Sequence, residues 1–247
     1  AAKIAGIDNI WSYKSKNKKN LHLVKSAKEL TENFLNIDNC LTETNFFIDK
    51  DRIKKIKEEM KKEDYMLRAI NLAKKAKFHT NPNPRVGCVI VKNNKVIGEG
   101  FHKKYGGAHA EVNAINNCIK KFGPKKGKQL LKDSQVYVTL EPCSIKSKTP
   151  PCTNALLEIM PKEVYCASLD PNKKINGSGI RILRKSGIKV EVGILKKQAV
   201  EMNKDFFFKH KNDKPYVRVK IAQTIDAKIA LKNGKSKWIT SKEARKN

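Results

Sequence analysis

Three side chains have the types and order of a metal site: His109, Cys143 and Cys152. One imidazole and two thiols are one ligand short of a closed structural zinc site, and a catalytic zinc needs an open fourth position to hold water. Glu111 stands two residues beyond the histidine. As a carboxylate outside the ligand set, it can take a proton from that water and return protons to the reacting molecule. The chemistry is hydrolytic: activated water attacks an electrophilic carbon. A lone histidine or cysteine in a buried segment is ordinarily packing. The argument for zinc is four features in order, on elements able to hold them.

Those elements are readable from Met60 onward. Met66, Ala69, Ile70 and Ala73 keep helical spacing and predict a helix from about Asp64 to Lys77. Asn81-Pro82-Asn83-Pro84 ends it with turn chemistry. Val86 to Val91 predicts a buried strand, and Val96 to Phe101 the returning arm of a hairpin. A helix from Ala108 presents Val112, Ile115 and Ile119, and Pro124 to Lys128 reads as a basic loop. Val136 to Leu140 predicts a third strand. Pro150-Pro151 suits the start of a helix over about Cys152 to Ile159. Val164 to Leu169 and Ile188 to Val192 predict two more strands around a helix near Ile180 and Leu183. Strands alternating with helices argue for a layered α/β domain with a mixed sheet. His109 and Cys152 then fall at helix starts, and Cys143 just past a strand end. Two helix N-termini would turn partial positive charge on the site and favour thiolate over thiol. Cys88, Cys118 and Cys166 lie in apolar segments and read as core cysteines, while Cys40 has no visible partner.

Composition restricts the partners. The chain has 247 residues and a formal charge of +29. Only seven of its 53 basic residues are arginine, the preferred fork for phosphates and base edges. The lysines are spread along the chain among asparagine and isoleucine, which argues for generic basicity rather than a dedicated nucleic-acid surface. No apolar run approaches the roughly 18 residues of a membrane span, and no export signal is visible. A reducing cytoplasm, with free or metal-bound cysteines, is the expectation. Residues 1–59 form a basic extension of uncertain origin without a ligand cluster, with a loop at Lys14 to Asn20 and a short helix around Leu21 to Leu30. Homo-oligomerisation is left open by the sequence.

Eight residues separate Cys143 from Cys152. Zinc deaminases of nucleosides, tRNA and polynucleotides commonly have two there, so this insert forms a loop beside the metal. Lys148 in it offers a cation to a sugar or phosphate, or is a solvated loop lysine. At this point a resemblance is specific. It is carried by Asn81 to Val91, Gly98-Glu99-Gly100-Phe101-His102, His109-Ala110-Glu111, and Thr139-Leu140-Glu141-Pro142-Cys143-Ser144 through Thr149-Pro150-Pro151-Cys152. Asp170-Pro171-Asn172 and Gly177-Ser178-Gly179 continue it. These resemble the deaminase half of the bifunctional riboflavin-biosynthesis family, a diaminohydroxyphosphoribosylaminopyrimidine deaminase joined to a 5-amino-6-(5-phosphoribosylamino)uracil reductase.

The resemblance implies a cytidine-deaminase-like three-layer fold over 60–211, one zinc, and hydrolytic loss of ammonia from a ribosylaminopyrimidine phosphate. It gives His109, Cys143 and Cys152 as ligands and Glu111 as the proton shuttle. It gives Asn83, His102, Lys148 and Thr149 as substrate contacts. Taken alone, Asn83 reads as a turn residue before proline and His102 as a surface histidine at a strand end. One departure stands out: the family usually has a histidine where this chain has Ile145, followed here by Lys146 and Ser147. That leaves two other readings, a zinc deaminase of another small pyrimidine and a basic RNA-associated protein on a deaminase fold.

Lys214 to Ala222, Thr224-Ile225-Asp226 and Gly234 to Ser241 resemble the opening of the family's NADPH-dependent reductase domain, of dihydrofolate-reductase-like fold. The resemblance implies that Ala222 and Trp238 lie against NADPH and Ser236 against substrate. Read on their own, Val217, Val219 and Ile221 are a strand and Trp238 is core. The segment 212–247 holds only about 35 residues, too few for an independent core, so no reductase activity is expected from this chain alone. At the other end, Ala5 to Trp11 with Asn20, Val24, Lys25 and Ala27 is similar to the C-terminal stretch of the fifth protein of the small ribosomal subunit.

Overall fold

The structure, a computed structural model, describes residues 50–246. The loop at Lys14, the helix around Leu21, the ribosomal likeness and Cys40 lie outside the described residues. The chain divides into two compact units, Ala1–Lys57 and Glu58–Asn247, and the sheet and the metal residues all belong to the second.

The elements are α1 (Lys50–Lys74), β1 (Gly87–Lys92), β2 (Lys95–Phe101), α2 (Ala110–Phe122), α3 (Pro124–Leu131) and β3 (Gln135–Val138). They continue with α4 (Cys152–Ile159), β4 (Glu163–Cys166), α5 (Ser178–Lys185), β5 (Lys189–Val192), α6 (Lys196–Met202) and α7 (Lys204–Asn212). One five-stranded sheet has the order β2-β1-β3-β4-β5. β1 runs antiparallel to β2 and β3, while β3, β4 and β5 are parallel. The sheet is mixed, as the alternation of strands and helices predicts.

Both faces of the sheet are covered, which is why the strands read as apolar runs rather than alternating ones. Successive side chains of β1 go to opposite faces. Cys88 and Ile90 pack with Ala114, Cys118, Leu156, Ile180 and Leu183. Val89 and Val91 pack with Met66, Ile70, Ala73, Tyr137, Tyr165 and Met202. Cys88, Cys118 and Cys166 are fully buried in the first cluster, as their apolar segments predict. The close approach of α2 to β2 depends on Gly100: a Cβ there would come within 2.3 Å of the Ala114 nitrogen. That contact fixes the start of α2, where His109 stands.

Three expectations need correction. The first helix begins at Lys50 rather than near Asp64: the charged stretch Ile48 to Lys62, which reads from the sequence as a solvated helix or linker, is helical from Lys50 and runs into the apolar helix without a breaker. Pro124–Leu131 is a helix rather than a loop: Pro124 occupies its first turn, Leu131 is buried, and the lysines take the outer face. Val217, Val219 and Ile221 do not form a strand. They are 75%, 73% and 65% exposed and belong to no sheet of the described residues.

Candidate metal centre and substrate cavity

His109 is the N-cap of α2, and its ring makes no capping hydrogen bond, so it is free to face the site. Cys152 opens α4 directly after Pro151, a residue with no N–H to place. Cys143 follows β3 and is wrapped by the start of α4. The Cys152 N–H donates to Cys143 Sγ at 3.2 Å and the Thr153 N–H to the Cys143 carbonyl at 3.2 Å. Nδ1 of His109 lies 3.1 Å from Cys152 Sγ and 3.5 Å from Cys143 Sγ. All three donor atoms fall within 4.8 Å of one another.

These separations fit zinc. Tetrahedral bonds of about 2.3 Å to sulfur and 2.0 Å to nitrogen hold donor atoms roughly 3.5–3.8 Å apart. With Nδ1 turned to the thiols, Nε2 faces Thr149 Oγ1, 3.4 Å away. Such an outer contact fixes the tautomer and orients a metal-binding imidazole. Thr149 therefore sits behind His109.

The electrostatics favour a cation. Hydrogen bonding from the Cys152 thiol, then from His109 and the Cys152 N–H, brings Cys143 down to about 4 despite its burial. The neighbouring thiolate and burial hold Cys152 up as a thiol. Two thiols this close share one proton, and a divalent metal displaces it. Glu111 is 3% exposed. Burial, and after it the Cys143 thiolate, raise it to about 7, a value suited to exchanging protons near neutrality.

A cavity of about 290 Å³ opens over this cluster, and its wall includes Asn83, His102, His109, Glu111, Cys143 and Ile145. His102 is 3% exposed, so its surface-histidine reading falls. It donates from Nδ1 to the Ala108 carbonyl at 3.1 Å, which leaves Nε2 to accept from the Asn83 amide at 3.4 Å. Its ring meets His109 edge-on at 5.2 Å. Burial lowers its pKa, so it stands neutral. Lys148 and Thr149 are not in the cavity wall. The Lys148 ammonium lies over the Tyr105 ring, 4.2 Å from its centre. Ser236, Ala222 and Trp238 are exposed and form no cluster with the metal residues. Trp238 is 71% exposed with Arg245 stacked on it at 4.0 Å, which corrects its reading as core.

Sequence reasoning missed Glu141. It is 3% exposed and accepts from the N–H groups of Asp170 (3.1 Å), Gly177 (2.8 Å) and Gly179 (2.9 Å). It thereby clamps the loop before α5 against the Pro142-Cys143 segment. The signal was Gly179: a Cβ there would lie 2.1 Å from the Pro142 carbonyl oxygen. Phe206, Lys209 and His210 of α7 also line the cavity, and nothing in their spacing announced it.

Residues 59–168 match the cytidine and deoxycytidylate deaminase zinc-binding region, and 215–247 the RibD C-terminal domain. The diaminohydroxyphosphoribosylamino-pyrimidine deaminase of Buchnera aphidicola subsp. Schizaphis graminum is 49% identical over 148 residues, covering 60% of this chain and 95% of that protein. The chain belongs to this deaminase family. Riboflavin biosynthesis protein RibD of Aquifex aeolicus is 46% identical over 183 residues, covering 74% of this chain and 49% of its own length. The chain thus spans about half the length of the RibD relatives it matches. RibD of Acinetobacter baumannii superposes with a TM-score of 0.68 at 43% identity, over 76% of this chain and 50% of that one. The mixed five-stranded sheet is therefore the cytidine-deaminase-like fold of this deaminase family.

Proposed function

We propose that residues 60–211 catalyse zinc-dependent hydrolytic deamination of 2,5-diamino-6-(5-phosphoribosylamino)pyrimidin-4-one to 5-amino-6-(5-phosphoribosylamino)uracil, in riboflavin biosynthesis. The observation that carries this is the convergence of His109, Cys143 and Cys152 on one point, with His109, Cys143 and buried Glu111 in the wall of the cavity beside it. Zinc held by those three side chains supplies a water of lowered pKa. Glu111 Oε accepts a proton from the attacking water and passes protons to the ring nitrogen and the departing amine. His102, neutral and fixed through Ala108 and Asn83, orients the pyrimidine. The buried floor around Leu140 limits access of bulk water to the reacting carbon.

We assign no cofactor to 212–247 as folded here. Roles for Ala222 and Trp238 against NADPH, and for Ser236 against substrate, need a structured domain around them, and each is exposed. Five described cysteines are free, and no described helix is long and apolar enough to cross a membrane; we place the enzyme in a reducing cytoplasm.

Ile145 in the cavity wall favours a second reading, another small pyrimidine as substrate. Ammonia release separates the two. Purified zinc-loaded chain is assayed on the ribosylaminopyrimidine phosphate, cytidine and RNA, with Cys143→Ser as control. Release from the first compound alone, lost with zinc in Cys143→Ser, is expected. Preference for cytidine or RNA overturns the assignment.

A further inference from the structure

Among the described residues, one lysine or arginine lines the metal cavity: Lys209, in the last turn of α7. The other basic groups in the wall are the imidazoles of His102, His109 and His210. His102 already commits both ring nitrogens, to the Ala108 carbonyl and the Asn83 amide, and His210 packs edge-on against the Phe206 ring at 4.6 Å. The position of Lys209 is anchored. Asn203, which caps α7 and is 3% exposed, accepts from the Arg85 N–H at 2.8 Å and donates to the Arg85 carbonyl at 2.8 Å. The Arg85 guanidinium donates to the Met202 carbonyl. These bonds tie the start of α7 to the Asn83-Pro84-Arg85 segment that forms part of the cavity wall.

A volume of about 290 Å³ is at the lower edge of what a small-molecule site encloses. A pyrimidine at the metal and a ribose behind it fill such a space, and a phosphate then stands at the rim. On the α7 side the rim adjoins a second cavity of about 430 Å³. The two share Pro82, Asn83, Pro84, Phe206 and Lys209. Lys77, Arg85, Lys214 and Arg218 also line the second cavity, opposed by Asp205 and Asp213. The excess of cations there draws a dianion. Thr80 lines it as well, 1% exposed, its hydroxyl without a hydrogen-bond partner among the described residues. A buried polar group left over in this way is open to a ligand or water.

We propose that Lys209 receives the phosphate of the substrate at the wall common to both cavities, and that the second cavity is its cationic approach. This rests on the proposed deamination. It goes further by placing the anionic end of the substrate on the α7 side, away from the loop whose Lys148 lies over Tyr105. Lys209 is exposed at the rim, so its ammonium reaches the phosphate without first being stripped of water.

The test uses zinc-loaded full chain, as wild type, Lys209→Met and Lys148→Met. Each is assayed on the phosphorylated ribosylaminopyrimidine and on its dephosphorylated form, and binding of inorganic phosphate is measured separately by calorimetry. Loss of one charge-assisted contact should raise KM for the phosphorylated compound by about tenfold or more in Lys209→Met. The dephosphorylated compound should change by less than about twofold, because it never makes that contact. Inorganic phosphate should bind Lys209→Met more weakly than wild type, and Lys148→Met should show the smaller effect on both readouts. An unchanged KM in Lys209→Met, or a larger loss in Lys148→Met, overturns the proposal. If wild type releases no ammonia from either compound, the deamination reading fails, and phosphate binding alone decides: wild-type affinity in Lys209→Met refutes the anion site, and weakened affinity supports it.

Discussion

Two parts of the second unit carry similar patterns and meet different fates. Val86 to Val91 and Val217 to Ile221 are both rich in β-branched residues suited to a strand. The first lies mostly within β1, hydrogen-bonded on both sides and covered on both faces. The second stands 65–75% exposed at its three apolar positions. The difference is the neighbour. A strand is stabilised by cross-strand pairs and by what covers its faces, so the local pattern permits a strand without making one. The predicted site residues divide along the same line. Near the sheet, Asn83, His102, His109, Glu111 and Cys143 line one cavity and Cys152 meets two of them, whereas Lys148 and Thr149 lie outside its wall and Ala222, Ser236 and Trp238 stand exposed.

Glu111→Gln challenges that contrast where it is strongest. It keeps the shape of the side chain and removes its basicity. Ammonia release should fall by about 10²–10⁴, the usual weight of a positioned acid–base group. Zinc content should not change, because Glu111 is outside the ligand set. Metal analysis beside the kinetics checks both. Activity within about tenfold of wild type would remove Glu111 from the proton path.

Glu141→Ala comes next and acts through position. Three backbone N–H groups lose their acceptor, each at roughly 1–3 kcal/mol when left buried and unpaired. A loss of about 3 kcal/mol or more in denaturant stability, with weaker zinc retention, is expected. Glu141→Gln should recover part of both, since its carbonyl oxygen still accepts. Wild-type stability in Glu141→Ala would mean that the loop before α5 holds itself.

Much of this was readable in advance, and for identifiable reasons. The ligands, Glu111 and the positions of the five strands along the chain are carried by local spacing and by apolar runs whose length and flanks select a strand. The Pro124 helix escaped because its lysines hide an amphipathic turn whose buried side is Leu131 and Gly127. For the charged stretch Ile48 to Lys62 the sequence left helix and linker both open, and its continuity with the apolar part of α1 escaped because exposed charged residues carry little periodic signal. Glu141 and Lys209 escaped for a different reason. Glu141 bonds to Gly179, 38 residues on, and Lys209 shares a cavity wall with Asn83, so no local window contains both ends.

Asp170 gives a smaller, pH-dependent effect in the zinc-free protein. Burial chiefly, and Glu141 beside it, raise it from 3.8 to about 6. Its folded pKa lies above its unfolded one, so the fold prefers the protonated acid. Stability is therefore lost as pH rises from about 4 through 6, and the penalty is complete above that. Asp170→Asn keeps an acceptor for the Asn172 N–H and removes the charge. It should melt higher than wild type above about pH 6, by the equivalent of about 1–3 kcal/mol, and no higher below about pH 4. Thermal melts across that range would break the idea if the gap between the two proteins were constant.

The smallest expected effect tests the exposed region directly. After Asn212 the chain makes few apolar contacts with the rest of the unit. Tyr216 meets Phe208 edge-on at 5.5 Å, and the Arg218 guanidinium lies 5.8 Å from the Tyr216 ring centre. Ending the chain at Asn212 should shift Tm by less than about 2 °C, since so few contacts carry little unfolding entropy with them. Zinc content should stay the same. In a Trp11→Phe background, Trp238 should emit as a solvated indole and be fully quenched by acrylamide. A large fall in Tm or a blue-shifted, protected Trp238 would show that the stretch docks on a surface and that the contrast between the two regions is one of degree. The same truncation removes Lys214 and Arg218 from the second cavity and leaves Lys209 in place. Phosphate affinity should therefore fall less on truncation than in Lys209→Met, because the approach is thinned while the receiving ammonium remains.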